Sequence, residues 1–184
     1  MTIIDLVDVV GPVIEIIQLL AKHLGRPSKK NQVIIEMILV ELFNNYCQIA
    51  EGCGNNCPIH EVINTLKYRD LETGIRQWMN LGHFPKKPIQ VDQLFEKPSS
   101  FYERYDGWSP KKLILNIYQK TVNLKTIVEN YSDLSRFNLR LRLRNLGNLI
   151  VLLFLYLQQQ YDEDLPKKGR SKKKKGNKSH KLPA

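Results

Sequence analysis

The residues best suited to chemistry are three cysteines and a histidine in the pattern C-x5-C-x3-C-x2-H. They are Cys47, Cys53, Cys57 and His60. Thiolate sulfur and imidazole nitrogen are donors that tetrahedral zinc takes in proteins, so the cluster is a candidate metal site. The spacing differs from the common C-x2-C zinc patterns, and cysteine also packs as a small apolar residue. We favour core and loop cysteines over zinc, keep a redox pair of Cys53 and Cys57 as a third alternative, and expect no cofactor.

A second candidate is Arg76 followed by His83, with six residues between them. This spacing resembles the R-x4-6-H motif of HEPN ribonucleases, which are also small helical bundles. The resemblance implies that Arg76 and His83 converge, usually across a dimer, and cleave RNA without a metal. Gln77 suits the polar position after the arginine, whereas Gly82 puts His83 at a helix end or in a loop. Because one motif needs structural context, a surface arginine and a loop histidine are the favoured interpretation.

A third candidate is a group of four arginines, Arg136, Arg140, Arg142 and Arg144, with no acidic residue from there until Asp162. In one continuous helix, Arg136, Arg140 and Arg144 share a face. Guanidinium groups in a row can bind phosphates bidentately. We expect Arg142 to point elsewhere and to lie partly inside the fold.

Internal ion pairs are the alternative use of these arginines, and the sequence favours it. The candidate partners are acids of the first two predicted helices: Asp5, Asp8, Glu15, Glu36 and Glu41. Outside residues 166–184 the chain has nearly equal numbers of acidic and basic residues, which supports such pairing. Exposed ion pairs, however, contribute little to stability.

The basic character of the protein is concentrated at its end. Residues 166–184 contain nine basic residues and no acid: Lys167, Lys168, Arg170, Lys172, Lys173, Lys174, Lys175, Lys178 and Lys181. Removing them from the 28 basic residues leaves 19 against 18 acidic residues in the other 165. A lysine-rich tail of this composition does not fold, and it binds polyanions without reading sequence. A solvated tail without a fixed partner is the alternative.

The elements that must position these residues are helices. The longest is predicted over residues 135–161, with Asp133 or Ser135 as its cap. Leucine and isoleucine recur along it at alternating steps of four and three, and residues 149–157 carry no charge, so this half must be covered on most sides. Ser109 and Pro110 predict the start of another helix, which runs to about residue 130.

Two further long helices are predicted over residues 2–24 and about 31–51, joined by the short segment GRPSKK as a helical hairpin. The first is mostly apolar with an acidic stripe, which favours a core helix over a membrane span. In the second, the polar residues expected to lie largely opposite the apolar face are Glu36, Glu41, Asn44, Asn45, Gln48 and Glu51. Shorter helices are expected over 58–70 and 71–81, a turn or two over 90–96, and an aromatic-rich segment over 82–109 packed on the bundle.

The predicted fold is therefore all-α: an up-and-down bundle of four long helices, with a short helical and loop insertion at 53–108 and a disordered basic tail. The bundle spans 1–165 and the tail 166–184. Common nucleotide-binding and hydrolase motifs are not found in the sequence, which argues against those enzymes. The chain shows no secretory signal and has an odd number of cysteines, which favours the cytoplasm.

These features favour a non-enzymatic nucleic-acid-binding or accessory protein. The bundle would mediate protein contacts or self-association, and the tail, with Arg136, Arg140 and Arg144, would bind RNA or DNA without sequence preference. The HEPN-like ribonuclease and a membrane-surface or protein-interaction adaptor remain the alternatives. A membrane is the less favoured partner.

Overall fold

The computed structural model describes residues 29–78 and 86–164, and these ranges form helices and connections without a strand. The helices are α1 (Lys29–Gly54), α2 (Ile59–Thr65), α3 (Arg69–Trp78), α4 (Val91–Leu94), α5 (Ser100–Glu103), α6 (Pro110–Asn130) and α7 (Leu139–Asp164). The all-α prediction is confirmed. The predicted helix at 2–24 and the predicted tail at 166–184 lie outside the described residues.

The second half of α7 is the centre of the core. From Leu149 to Leu157 every side chain except that of Leu155 is buried, as the lack of charge in this stretch predicts. α7 packs most extensively against α1 and α6. The buried aliphatic side chains that these two helices supply are Ile35, Ile38, Leu39, Leu42 and Ile49 from α1, and Leu113, Ile114, Ile117 and Leu124 from α6. Each contributes about 1.5–3 kcal/mol by leaving water.

α2 and α3 run back along α1, and two polar side chains of α1 hold them there. The Asn45 side chain donates to the Lys67 carbonyl (2.6 Å) and accepts from the Lys67 N–H (2.8 Å). One turn earlier, the two Glu41 carboxylate oxygens accept the N–H groups of Asp70 (2.9 Å) and Leu71 (3.0 Å). The carboxylate thus satisfies donors that the start of α3 leaves without a helical partner.

This arrangement corrects two predictions. Glu41 and Asn45 are only 4% and 2% exposed, so their expected position on the polar side of the helix is wrong. The helix expected over 58–70 is also interrupted, because Leu66 is extended after α2 and the backbone of Lys67 bonds to Asn45 instead. Both differences arise from hydrogen bonds between residues more than twenty positions apart.

α6 begins and ends where the sequence predicts. The Ser109 hydroxyl accepts the N–H of Lys112 at 3.2 Å, Pro110 takes the first helical position, and the helix ends at Asn130. The ammonium of Lys112 lies 3.9 Å from the centre of the Trp108 ring. The capping signals are all local, which is why the sequence reveals them.

The segment over residues 86–109 packs on the bundle through its aromatic residues, as expected. The rings of Phe95 and Tyr102 stack with centroids 4.4 Å apart, and Tyr102 and Tyr105 are buried. Burial raises the pKa of Tyr102 to about 12. The Tyr156 hydroxyl of α7 donates to the Lys87 carbonyl at 2.8 Å, which ties the start of the segment to the core helix.

We expect Gly52→Ala to lower the free energy of unfolding by about 1–3 kcal/mol, because a Cβ there would overlap the methyl groups of Val62, whose β-branched side chain has little freedom. Gly54→Ala is the matched control, since a Cβ at Gly54 meets nothing within 4 Å. It should be neutral or stabilising by up to about 1 kcal/mol. Urea denaturation of both variants checks this, and equal destabilisation would contradict the packing.

We expect Glu41→Ala to cost about 1–3 kcal/mol at neutral pH, because the N–H groups of Asp70 and Leu71 lose their acceptors. Glu51→Ala, at an exposed position of the same helix, is the control and should change stability little. Chemical denaturation measures both, and a neutral Glu41→Ala variant would argue against the capping role.

The stability difference between the wild type and Glu41→Ala should also depend on pH. Burial raises the pKa of Glu41 above its ordinary value of 4.5, so the folded state holds the proton more tightly than the unfolded state. The stabilisation from this group is therefore full below pH 4.5 and is lost as the pH rises through the folded pKa. The loss of unfolding free energy in the Glu41 variant should therefore become smaller as the pH rises. A loss that grows with pH would contradict a raised pKa.

Candidate nucleic-acid interface

The start of α7 is built by a turn followed by an asparagine cap. In the turn, Asp133 accepts hydrogen bonds from the Ser135 N–H (3.0 Å) and hydroxyl (2.6 Å), and these bonds lower the pKa of Asp133. α7 then begins at Leu139, and Asn138 Oδ1 accepts the Leu141 N–H at 3.2 Å. The predicted start at Ser135, capped by Asp133 or Ser135, is wrong because Asp133 closes the preceding turn instead.

The later start of α7 changes the arrangement of the arginines. Arg136 precedes the helix, and its Nε lies 3.9 Å from the Asp133 carboxylate. Arg140 and Arg144 lie one turn apart within α7 and share a side of it. The expectation that three arginines follow one helical face is therefore wrong for Arg136.

Arg140 and Arg142 are exposed, and neither forms an ion pair with an acidic side chain that the structure describes. They are two positions apart and so project from different sides of the helix. The expectation that Arg142 lies partly inside is wrong, because between positions 139 and 142 the helix buries only Leu139. The start of α7 thus presents cations in more than one direction.

One acid of α1 that was a candidate partner for the arginines, Glu41, has another use. Glu41 bonds the backbone of α3, so it does not neutralise the arginines of α7. Three other proposed partners, Asp5, Asp8 and Glu15, lie outside the described residues. Pairing through Glu41 is therefore wrong.

Arg144 differs from the other arginines because it is half-buried. Its Nε is buried and has no hydrogen-bond partner among the described residues. It lines a groove between α1 and α7 with Tyr46, Cys53 and Asn148, and a Cβ at Gly147 would already touch Ile49 there. Its alkyl chain therefore packs between these two helices, as is common for long cationic side chains.

The charges at the start of α7 oppose the helix dipole. The first turn contains no acid, although a helix N-terminus carries partial positive charge and favours anions. Each nearby arginine costs stability, typically about 0.3–1 kcal/mol for an unfavourable charge at this position. A phosphate group would offset that cost, because it interacts favourably with the guanidinium groups and with the positive end of the helix dipole.

An aromatic pair lies directly before these arginines. The rings of Tyr131 and Phe137 have centroids 4.9 Å apart at an angle of 58°, and Tyr131 is exposed. Neither Tyr131 nor Asn138 is among the site residues predicted from the sequence. Asn138 had a local signal, since asparagine is a preferred N-cap, but the competing cap residues Asp133 and Ser135 obscured it.

The cysteine cluster does not form a metal site in the described chain. Cys47 and Cys53 lie on α1, Cys57 lies in the turn after it, and all three are half-buried and free. His60 is exposed, with its Nε2 4.0 Å from a Glu61 carboxylate oxygen. No group of three or more histidine, cysteine or acidic side chains in 29–78 and 86–164 is placed to hold a metal ion. Burial also raises the pKa of Cys47, which disfavours its thiolate.

The predicted ribonuclease pair is only half within the described chain. Arg76 is exposed on α3 and donates to Glu72, one turn earlier, at 2.7 Å. His83 lies outside the described residues, as do the basic residues of the tail. Catalysis by Arg76 and His83 therefore stays a prediction.

Within the described part of the chain, one helical stretch, Val33–Gly54, is long and apolar enough to cross a membrane. Its buried side chains form the core with α7, and Glu41 and Asn45 within it bind the backbone of α3 and its lead-in. Most of its apolar side chains are thus buried or half-buried in the helical core.

Comparisons with protein-family models, curated proteins and solved structures found no match to this chain. Function is therefore inferred from the geometry and charge of its own residues.

We expect Asn138→Ala to lower the free energy of unfolding by about 1 kcal/mol, because the Leu141 N–H loses its acceptor. Asn138→Asp is the matched control: it keeps an acceptor oxygen and adds negative charge beside the helix N-terminus, so it should be neutral or stabilising. Thermal unfolding at equal pH compares them. If both variants lose the same stability, Asn138 acts by packing and not as a cap.

Proposed function

We propose that the protein is a non-enzymatic accessory protein that binds RNA or DNA without sequence preference. In this proposal the start of α7 and the basic tail bind phosphates, and the helical body supplies contacts to other proteins or to a second copy. The observation that carries the proposal is that Arg140 and Arg142 are exposed without an acidic partner in the described chain.

The form of the arginine site suits a polyanion. Arg140 and Arg142 project from different sides of one helix end, with Arg136 in the turn before it. Such a spread reaches several phosphates along a backbone, whereas a small anion would need convergent donors. Guanidinium groups bind phosphate bidentately, and release of counterions supplies the affinity. The exposed Tyr131 ring adds a flat surface beside the cations.

The tail extends the basic surface beyond the other end of the same helix. α7 contains 26 residues, which corresponds to a length of about 39 Å. Residues 167–181 follow it in the sequence with nine cations and no acid. Two attachment points on one nucleic acid raise the apparent affinity, because the second binds at a high effective concentration.

The same proposal includes the finer architecture that the sequence predicts. Residues 2–24 would form the first of four long helices in an up-and-down bundle with α1, α6 and α7. Residues 166–184 would remain an unfolded tail, since their composition offers no apolar core.

We expect the double variant Arg140→Gln/Arg142→Gln to weaken binding to RNA and DNA oligonucleotides of about 30 nucleotides or base pairs, long enough to offer many phosphates. The slope of log K against log salt should fall by about 0.7–0.9 for each phosphate that the variant no longer neutralises. The control is Lys97→Gln/Arg104→Gln, which removes the same charge from exposed positions elsewhere. Fluorescence anisotropy at several salt concentrations measures both. Equal effects of the two variants would contradict a site at α7.

The contribution of the tail is tested separately by Lys172→Gln, Lys173→Gln, Lys174→Gln and Lys175→Gln in one chain. We expect the slope of log K against log salt to fall further than for the α7 variant. If each of the four lysines binds one phosphate, the fall is about four times the value for a single phosphate. Unchanged affinity and salt dependence would remove the tail from the mechanism. If neither the tail variant nor the α7 variant weakens binding, the proposed function is wrong.

A further inference from the structure

α1 carries an apolar stripe on the side that faces away from the core. Val33, Met37 and Val40 are 51%, 44% and 43% exposed. They are spaced by four and three residues and so lie on one face of the helix. The next exposed positions along that face are Asn44 and Gln48, which are polar. The stripe is therefore confined to the first three turns, next to the point where the preceding chain joins α1.

Only a short segment separates α1 from the apolar stretch that precedes it in the sequence. α1 begins at Lys29, and residues 25–28 read Gly-Arg-Pro-Ser. A connection of this length brings two helices together as an antiparallel hairpin. In such a hairpin, residues at equal distances from the connection lie opposite each other, because both helices rise by the same amount per residue.

This symmetry gives a specific register. The positions opposite Val33, Met37 and Val40 are Leu20, Ile16 and Val13. All three are apolar, with the same spacing in reverse. If residues 13–20 are helical, Glu15, Gln18 and Lys22 lie on the opposite side and face water. The sequence Gly11-Pro12, which interrupts a helix, falls opposite the place where the stripe ends.

We propose that the stripe of Val33, Met37 and Val40 is the docking surface for residues 13–20 of the same chain, with Ile16 against Met37. This inference rests on the bundle architecture proposed above and not on nucleic-acid binding. The match in length supports it, since both apolar runs extend over about 10 Å. A second copy or a membrane would not require the mirrored spacing.

Cysteine cross-linking tests the register in the full-length chain, with Cys47, Cys53 and Cys57 replaced by alanine. The pair Ile16→Cys and Met37→Cys should form a disulfide within one chain on mild oxidation, because facing positions meet the distance that the bond needs. The matched control, Gln18→Cys with Met37→Cys, places one thiol on the other side of the segment and should react at least about tenfold more slowly. Non-reducing gels and peptide mass spectrometry identify the products.

Disulfide-linked dimers as the main product would overturn the proposal in favour of a second copy on the stripe. Equal rates for the two pairs, or no internal cross-link in a protein with wild-type helicity, would also overturn it. Neither outcome bears on the arginine site, because nucleic acid is absent from the experiment.

A single charge on the stripe gives an independent measurement without cysteines. Met37→Glu should raise the equilibrium constant for unfolding about tenfold or more, since the docked side chain leaves water on folding. Gln48→Glu, an exposed position further along α1, should change it less than about threefold. If Met37→Glu has as small an effect as the control, the stripe faces water and the proposal is wrong.

Discussion

The uncharged second half of α7 is the constraint on which the rest of the described structure depends. A helix that is apolar on all sides has no stable position at a surface, so other elements must surround it. α1 and α6 cover it directly, and the aromatic segment before α6 is fastened to it through Tyr156. The first turn of α7 buries only Leu139, and Arg140 and Arg142 are exposed there. α7 thus has one apolar, buried end and one exposed, cationic end.

Local signals in the sequence predict much of this fold. The start of α6 follows from Ser109 and Pro110, and burial of residues 149–157 follows from their composition. The start of α7 is missed because three polar residues compete for the cap, and only the structure shows that Asp133 closes a turn. Glu41 is misplaced for another reason: its partners, the N–H groups of α3, are distant in the sequence. No periodicity can reveal a polar side chain that caps a different helix.

From the sequence, the four arginines are a candidate anion site, but internal ion pairs are the favoured use. In the structure Arg136 lies beside Asp133, whereas Arg140 and Arg142 are exposed without an acidic partner among the described side chains. Their arrangement depends on where α7 begins, so the inferred row of three does not exist. The position of Arg144 in a groove beside Tyr46 is a matter of tertiary packing. Charge can be counted in the sequence, whereas its direction depends on the helix boundary and on the neighbouring helices.

The hydrogen bonds of Glu41 and Asn45 have a consequence for how the structure can move. They hold the backbone of residues 67–71 at two points one turn apart on α1, through four directional hydrogen bonds. α3 cannot slide along α1 without breaking them together. Gly74 of α3 also packs against Ile38 of α1, where a Cβ would not fit. We therefore expect α1 and α3 to open together as one cooperative unit rather than to move past each other.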